Sequence, residues 1–168
     1  MPFVSRYDSP LGRILLAADG EGLTGLWFEG QKYYAAGLEA EHEERETPIL
    51  RSAKAWLDAY FAGIVPKTEV PLHPSGTAFQ LAVWSALREI PRGQTVTYGS
   101  LAEALTRQRG TPASPRAVGS AVGHNPISIL IPCHRVLGAG GRLTGYAGGT
   151  EKKAALLKLE GAWQDSFR

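Results

Sequence analysis

The chain has 168 residues, 43% of them hydrophobic and 20% charged, which is ordinary for a soluble globular protein of one or two small domains. A single cysteine, Cys133, excludes an intramolecular disulfide framework and a cysteine-rich zinc site. No apolar run reaches the length of a membrane span, and the start of the chain lacks a signal-peptide pattern. We therefore expect a protein without metal that acts in a reducing, cytoplasmic setting and not at a membrane.

Charge is divided unevenly along the chain. Residues 1–75 hold 11 acidic and 7 basic side chains, whereas residues 76–168 hold 5 acidic and 11 basic ones. An acidic first half and a basic second half indicate that only the second half meets a polyanion. A chance segregation of solvated charges remains the alternative.

The first part of the chain predicts a small antiparallel sheet. Residues 13–18 and 22–28 are strand-like and flank the turn Asp19–Gly20. Residues 39–46 are a run of charges, which we interpret as a solvated loop or the outer face of a helix.

One helix follows this sheet. Thr47 is a typical N-cap with Pro48 in the first turn, apolar residues then recur at helical spacing, and Gly63 ends the helix. The proline-rich residues 65–76 show little periodicity. They predict an extended linker and a domain boundary near residue 75.

The second half predicts mostly helices. Thr77 to Gln80 is a capping box, and a short helix is expected to begin near Gly99 or Ser100, with a loop over 106–113. Ser114–Pro115 opens a helix rich in alanine and glycine, and a last helix runs from about 150 to 160. Two short helices joined by a loop indicate a helix-turn-helix, unless the small residues only allow two helices to pack closely.

Cys133 stands between a proline and a histidine. A thiol has a pKa of about 8.5, and a neighbouring base or cation is needed to make it reactive near neutrality. Neighbouring residues in an extended segment point to opposite faces, so contact with His134 requires a turn of the backbone or a bridging water. Asn125 precedes Pro126 and is typical of a turn that braces the cysteine loop. From the residues alone, Glu160 is either the carboxylate that orients His134 or an ordinary charge at a helix end.

The segment Pro132–Val136, with the sequence PCHRV, resembles the active-site signature of the O6-alkylguanine-DNA alkyltransferases, also called methylated-DNA–protein-cysteine methyltransferases. Further segments resemble that family in the same order and with similar spacing. They are the first helix of its helix-turn-helix (97–102), the start of its recognition helix (116–119), its asparagine hinge (123–126), its lesion-binding loop (145–149) and the end of its last helix (157–161).

The resemblance implies an α+β fold in two domains. Residues 1–75 would form a small ribonuclease-H-like antiparallel β-sheet domain with a helix. Residues 76–168 would form a mostly helical, winged helix-turn-helix-like domain for DNA binding and alkyl transfer. The implied function is direct DNA repair without a cofactor by a monomer that binds double-stranded DNA containing O6-alkylguanine. The alkyl group of guanine O6, and of thymine O4, would pass irreversibly to the protein's cysteine after the nucleotide is flipped from the minor groove.

Several residues match catalytic positions of the family. Cys133 matches the alkyl acceptor, His134 the residue that deprotonates it through a bound water, and Glu160 the carboxylate that polarises the histidine. Tyr98 matches the tyrosine that hydrogen-bonds the base. Asn125 belongs with this catalytic set.

Other matches concern DNA and the lesion. Arg116 matches the arginine that fills the space left by the flipped nucleotide, and small side chains after it suit a narrow groove. Ala147 stands where some members carry a serine, so only its backbone N–H is available to contact O6. The expected DNA-binding residues are Arg116, Tyr98, Ser100, Ala117, Gly119, Ser120 and Arg135, and the expected lesion pocket is Tyr98, Cys133, Val136, Tyr146 and Ala147.

Three rival functions are open to a chain with these motifs. A non-catalytic alkyltransferase-like lesion binder replaces the cysteine, which the presence of Cys133 opposes. A cysteine hydrolase needs an oxyanion hole and a base for a second step with water, and the sequence has no sign of either. A bare helix-turn-helix module needs no reactive thiol.

Overall fold

The computed structural model describes Met1–Arg168 and divides into two units. The first unit, Met1–Ser75, contains a four-stranded sheet with the strand order β3-β2-β1-β4. The strands are β1 (Phe3–Ser9), β2 (Gly12–Ala18), β3 (Leu23–Phe28) and β4 (Glu43–Glu44). Neighbours β1 to β3 are antiparallel, and the carboxylate of Asp19 accepts from the backbone N–H groups of Glu21 and Gly22 to close the β2–β3 turn.

The charge run at 39–46 is not only a solvated loop or a helix face, as predicted. Its residues 43–44 form β4, which pairs parallel with β1. The backbone N–H groups of Glu43 and Arg45 donate to the carbonyls of Pro2 and Val4. These bonds hold a charged strand at the sheet edge, where its side chains remain exposed to water.

Helix α1 (Pro48–Phe61) packs on this sheet through Leu50, Ala53, Leu57 and Tyr60. The predicted start is confirmed, because the Thr47 hydroxyl caps the helix by accepting from the backbone N–H of Leu50 at 3.3 Å. The helix is therefore fixed by its cap at one end and by its apolar stripe along its length.

The second unit, Gly76–Arg168, is mainly helical. It contains α2 (Ala78–Arg88), α3 (Tyr98–Arg109), α4 (Pro115–Gly123) and α5 (Thr150–Leu159), together with the short parallel pair β5 (Val96–Thr97) and β6 (Val136–Leu137). The capping box at Thr77 and the N-cap at Ser114 are confirmed. In the core of this unit the indole N–H of Trp84 on α2 donates to the carbonyl of Ala121 on α4 at 2.9 Å.

Helix α3 differs from its prediction at both ends. It begins at Tyr98 and not at Gly99 or Ser100, because the Thr97 hydroxyl accepts from the Ser100 N–H at 3.1 Å and so caps it earlier. It continues to Arg109, and Gly110 ends it in the left-handed conformation at φ 72°. Tyr98 thus stands on the first helical turn.

The predicted α+β fold class is confirmed: a sheet with a packed helix is followed by a helical unit. None of the helices has the length and apolar character needed to cross a membrane.

Candidate active site

A buried loop between α4 and β6 carries the only cysteine. Asn125 holds the loop by donating from Nδ2 to the carbonyl of Ile131 at 2.8 Å and accepting at Oδ1 from the N–H of Ile127 at 3.0 Å. Ile129 has φ 73°, an uncommon conformation for a β-branched residue, which marks local strain at this loop. The loop leads into one turn of 3₁₀ helix, Cys133–Arg135, which supplies the backbone turn that an interaction between Cys133 and His134 requires.

Cys133 is 5% exposed and its thiol is free. Burial raises the pKa of this thiol above its ordinary value, while the Asn125 side chain and the positive charge of Lys153 act in the opposite direction. The net effect in the free protein is a protonated thiol. A base is therefore needed before the sulfur becomes a strong nucleophile.

His134 and Glu160 form a buried pair that the sequence left open. Nε2 of His134 donates to Oε2 of Glu160 at 2.6 Å, with the histidine fully buried and the glutamate 7% exposed. Burial lowers the pKa of His134, although Glu160 opposes this effect, so the ring is neutral near pH 7. With Nε2 facing the carboxylate, Nδ1 carries a free lone pair, and this buried nitrogen has no protein hydrogen-bond partner. The ring is thus oriented as a base with an open acceptor position.

Arg135, which is among the expected DNA-binding residues, has a part-buried side chain that bonds within the second unit. Its Nε donates to Oε1 of Glu160 at 2.8 Å, and its NH1 donates to the carbonyl of Ile90 at 2.7 Å. The two oxygens of Glu160 therefore serve two different donors, Arg135 and His134. The guanidinium places a positive charge beside this buried carboxylate and fixes which oxygen faces the histidine.

Tyr98, the first residue of α3, is half-buried and reaches the loop that follows β6. Its hydroxyl donates to the carbonyl of Thr144 at 3.1 Å. Gly145 makes room for it: a Cβ there would lie 2.7 Å from the Tyr98 oxygen, and the φ of 78° also favours glycine. Burial, and next the charge of Cys133 as a thiolate, raise the pKa of Tyr98 to about 12, so the phenol remains a proton donor.

Helix α4 has one face buried and one face open. Its side chains Val118, Ala121 and Val122 are buried, whereas Arg116, Ala117 and Ser120 are exposed. Positions 116, 117 and 120 share one side of a helix. Gly119 is half-buried beside the Tyr98 ring, which a Cβ would approach to 3.9 Å, and Ser100 is exposed on α3.

The other residues of the expected lesion pocket differ in burial. Tyr146 is buried with its ring edge-on to His134 at 6.5 Å between centroids. Its hydroxyl has no partner in hydrogen-bonding geometry, although the Ser128 side chain is near it. Burial raises the pKa of this phenol well above the ordinary value. Val136 is buried and Ala147 half-buried.

Lys153 is a member of this site that the sequence reasoning missed. Its side chain is fully buried, and Nζ donates to the carbonyls of Val136 at 2.5 Å and Thr144 at 2.8 Å. A signal was available in the spacing of Lys153, Leu156, Leu157 and Glu160, which is i, i+3, i+4, i+7 and forms one stripe of α5. The buried face of α5 therefore begins and ends on charged residues.

Two family models match the chain in succession. One is described as the ribonuclease-like domain of 6-O-methylguanine DNA methyltransferase and matches residues 3–74. The other is described as the DNA-binding domain of the same enzyme and matches residues 78–162.

Curated relatives and solved structures agree with these matches. The chain is 46% identical over 159 residues to a methylated-DNA–protein-cysteine methyltransferase of Haemophilus influenzae, covering 94% of this chain and 86% of that protein. It is 48% identical over 156 residues to one of Methanosarcina acetivorans, covering 93% and 96%. A crystal structure of Mycobacterium tuberculosis OGT in complex with DNA is similar with a TM-score of 0.82 and 43% identity, covering 95% of this chain and 93% of that one.

Proposed function

Because the chain belongs to the 6-O-methylguanine DNA methyltransferase family, we propose that it repairs DNA directly by moving the alkyl group from guanine O6 to Cys133. One observation carries this proposal: a buried free thiol stands beside a neutral, carboxylate-bound histidine whose second nitrogen has no protein partner. Each molecule reacts once, because the thioether that forms has no group to hydrolyse it.

The first step is removal of the thiol proton. A buried polar atom without a protein partner commonly bonds to an ordered water, and the unpartnered Nδ1 of His134 is such an atom. A water at Nδ1 receives the proton of Cys133 and passes a proton to the ring. Glu160 stabilises the imidazolium that results, and Arg135 keeps Glu160 charged.

The second step is displacement at a saturated carbon. The sulfur of Cys133 forms a bond to the alkyl carbon while the bond from that carbon to O6 breaks, and the electron pair leaves with guanine. A guanine anion is a poor leaving group, so a proton donor at the base lowers the barrier. The phenol of Tyr98, whose pKa is about 12, supplies that donor after its hydroxyl leaves the carbonyl of Thr144.

The substrate is double-stranded DNA from which the damaged nucleotide is turned out of the stack. The exposed face of α4 carries Arg116 beside small side chains, which suits close approach to a minor groove. Arg116 fills the vacated place in the duplex, and Ala117, Gly119 and Ser120 let the helix come near the backbone. Ser100 at the start of α3 is a further DNA contact.

The flipped base enters between Tyr98 and the loop that carries Tyr146 and Ala147. The carbonyls of Cys133 and Val136 accept from the guanine amino group, and the backbone N–H of Ala147 is the group available to O6. Methyl adducts of guanine O6, and of thymine O4, are the substrates that we propose. We also propose that the protein acts as a monomer in the cytoplasm, where a free thiol stays reduced.

Mass spectrometry after reaction with DNA tests this function. A duplex containing O6-methylguanine should add one methyl group, on the peptide with Cys133, and never more than one per molecule. Cys133→Ala should lose the transfer and still bind the damaged duplex. Repeated turnover, or restored guanine with unmodified protein, would show that another mechanism operates.

A further inference from the structure

The buried lysine of α5 is the charged group at this site for which the proposed mechanism has no role. Lys153 is fully buried on the inward face of α5, where an ammonium loses its hydration. Burial of a charge is costly unless the charge is paired or bonded. The desolvation lowers the pKa of Lys153 to about 8, so the group is still mostly protonated at neutral pH.

The hydrogen bonds of Lys153 join two segments that flank the thiol. One acceptor is the carbonyl of Val136, three residues after Cys133, and the other is the carbonyl of Thr144, two residues before Tyr146. Thr144 is also the acceptor of the Tyr98 hydroxyl. A single ammonium therefore fixes the ends of the 137–143 loop and the carbonyl on which Tyr98 rests.

The charge of Lys153 has no carboxylate within ion-pair distance. Its hydrogen-bond partners are neutral carbonyls, and the Tyr98 ring centroid lies 5.9 Å from Nζ. The other ionisable groups that act on it or on the thiol are His134 and Tyr146, both buried, with Glu160 already bound by His134 and Arg135. Among these neighbours the sulfur of Cys133 is the one that becomes negative during the reaction.

We propose that Lys153 is a positioning residue of the alkyl-transfer site, which holds the walls of the Cys133 pocket together and supplies the positive charge that stabilises the Cys133 thiolate. Formation of the thiolate gives the buried ammonium a counter-charge, and transfer of the alkyl group removes it again. The attraction between the Lys153 ammonium and the Cys133 sulfur is therefore strongest when the sulfur is a thiolate. An interaction that is stronger in the reactive state than in the resting state speeds a reaction. This inference rests on the proposed function, but the thiol can be studied without DNA.

A titration of the thiol is the first test. The rate at which iodoacetamide modifies the lone cysteine is measured against pH by intact mass for the whole chain, for Lys153→Met and for the control Lys158→Met. Methionine keeps the length of the buried side chain without its charge, and Lys158 is an exposed lysine of the same helix. We expect Lys153→Met to raise the midpoint of thiol reactivity by about one to two pH units, as loss of a nearby charge does, and the control to leave it unchanged.

The same variants are then compared in methyl transfer from DNA. Lys153→Met should slow transfer about tenfold or more at neutral pH and regain part of the rate at higher pH, where the thiolate forms without help. A purely structural lysine would lower the rate equally at every pH. Lys153→Arg, which retains the charge, should keep the thiol midpoint close to that of the unaltered chain.

If the Lys153 variants do not fold, the interaction between Lys153 and the thiolate can be tested with Lys153 left in place. The Nζ signal of Lys153 is followed by NMR over pH in the unaltered chain and in Cys133→Ala. We expect a lower pKa for Lys153 in Cys133→Ala, because the thiolate that favours the ammonium is gone. Equal values, or an unchanged thiol midpoint in Lys153→Met, would overturn the inference. A chain that meets both expectations but transfers no methyl group would instead overturn the proposed function.

Discussion

The two units of the chain bury different kinds of side chain. In Met1–Ser75 the buried residues are apolar except for Gln31, whose amide oxygen accepts from the backbone N–H of Phe28 within its own turn. In Gly76–Arg168 the buried set includes Asn125, Ser128, His134, Lys153 and Glu160. All of these lie at or beside the Cys133 turn.

This difference separates stability from chemistry. Apolar burial stabilises a fold, whereas burial of a polar or charged group costs free energy unless partners satisfy it. In the second unit, buried polar and charged groups are concentrated around Cys133. Two of their atoms, His134 Nδ1 and Tyr146 Oη, have no protein hydrogen-bond partner. Substitutions in the two kinds of core should therefore have different effects on transfer and on stability.

Glu160→Gln should have the largest effect. Glutamate offers one oxygen to His134 and the other to Arg135, but glutamine has a single acceptor oxygen for these two donors. One buried pair must break, which costs about 3–5 kcal/mol of stability. The rate of methyl transfer should fall by about 10²-fold or more, because His134 loses the charge that supports it as a base.

Single-turnover transfer and urea unfolding measure these two effects. Glu151→Gln, on an exposed residue of the same helix, is the control. A tenfold change in rate corresponds to about 1.4 kcal/mol of activation free energy. If the transfer rate of Glu160→Gln stays within about twofold of the unaltered chain, Glu160 is not a catalytic residue.

Leu57→Ala should affect stability alone. Leu57 is fully buried on α1, and truncation of such a residue costs about 2–5 kcal/mol. The transfer rate per folded molecule should stay unchanged, because Leu57 is part of the apolar core of the first unit. Leu87→Ala, at a fully buried leucine of α2 in the second unit, is the matched variant for urea unfolding. If Leu57→Ala slows transfer in fully folded protein, the separation between the two cores is wrong.

Asn125→Ala should have an intermediate effect on both properties. It leaves the carbonyl of Ile131 and the N–H of Ile127 without partners, at about 1–3 kcal/mol of stability. It should also raise the pKa of Cys133 further, because Asn125 is the main group that lowers it. Urea unfolding and the pH dependence of thiol modification measure these effects.

Asn125→Asp divides the two contributions of that side chain. Aspartate keeps the acceptor for Ile127 but loses the donor to Ile131, and its charge disfavours a thiolate nearby. The thiol midpoint should rise more than in Asn125→Ala. A midpoint equal to or lower than that of the unaltered chain would contradict this account of Asn125.

Sequence patterns predicted best the features that depend on near neighbours in the chain. The caps at Thr47, Thr77 and Ser114 were predicted because each is a side chain bonding to a backbone N–H three residues later. The start of α3 was placed one or two residues too late, although Thr97 has the same capping chemistry. The fold class came from the family resemblance, with which the order of these elements agrees.

The polar centre of the site depends on contacts between distant segments. From residue types alone Glu160 was left undecided, since only the folded chain brings its carboxylate to His134, 26 positions away. Arg135 is among the expected DNA-binding residues, and the sequence gives no sign that its guanidinium bonds to Glu160 and to the carbonyl of Ile90. Lys153 was passed over because lysine is almost never fully buried unless it is paired.

His73→Gln should have the smallest effect, at an exposed ionic cluster of the first unit. The His73 ring contacts the carboxylates of Asp19 at 2.6 Å and Glu21 at 3.0 Å, and its backbone N–H donates to the carbonyl of Leu23 at 2.8 Å. The hydrogen bond to Asp19 is the main cause that raises the pKa of His73. A raised folded pKa means that the stabilisation is fully present below the unfolded value of about 6.5 and is lost as pH rises through the folded one.

Amide hydrogen exchange at residue 73 is the local measurement for this pair. His73→Gln should speed exchange relative to the unaltered chain at about pH 5.5, and the difference should shrink at higher pH as the folded ring loses its proton. Added salt should reduce it as well, because exposed charges are screened. His42→Gln is the control, since the ring of His42 contacts the carbonyl of Glu39 and no carboxylate. A difference that does not change with pH would mean that the His73 ring acts by packing and not by charge. The contrast between exposed charges in the first unit and buried charges around Cys133 would then lose its electrostatic basis.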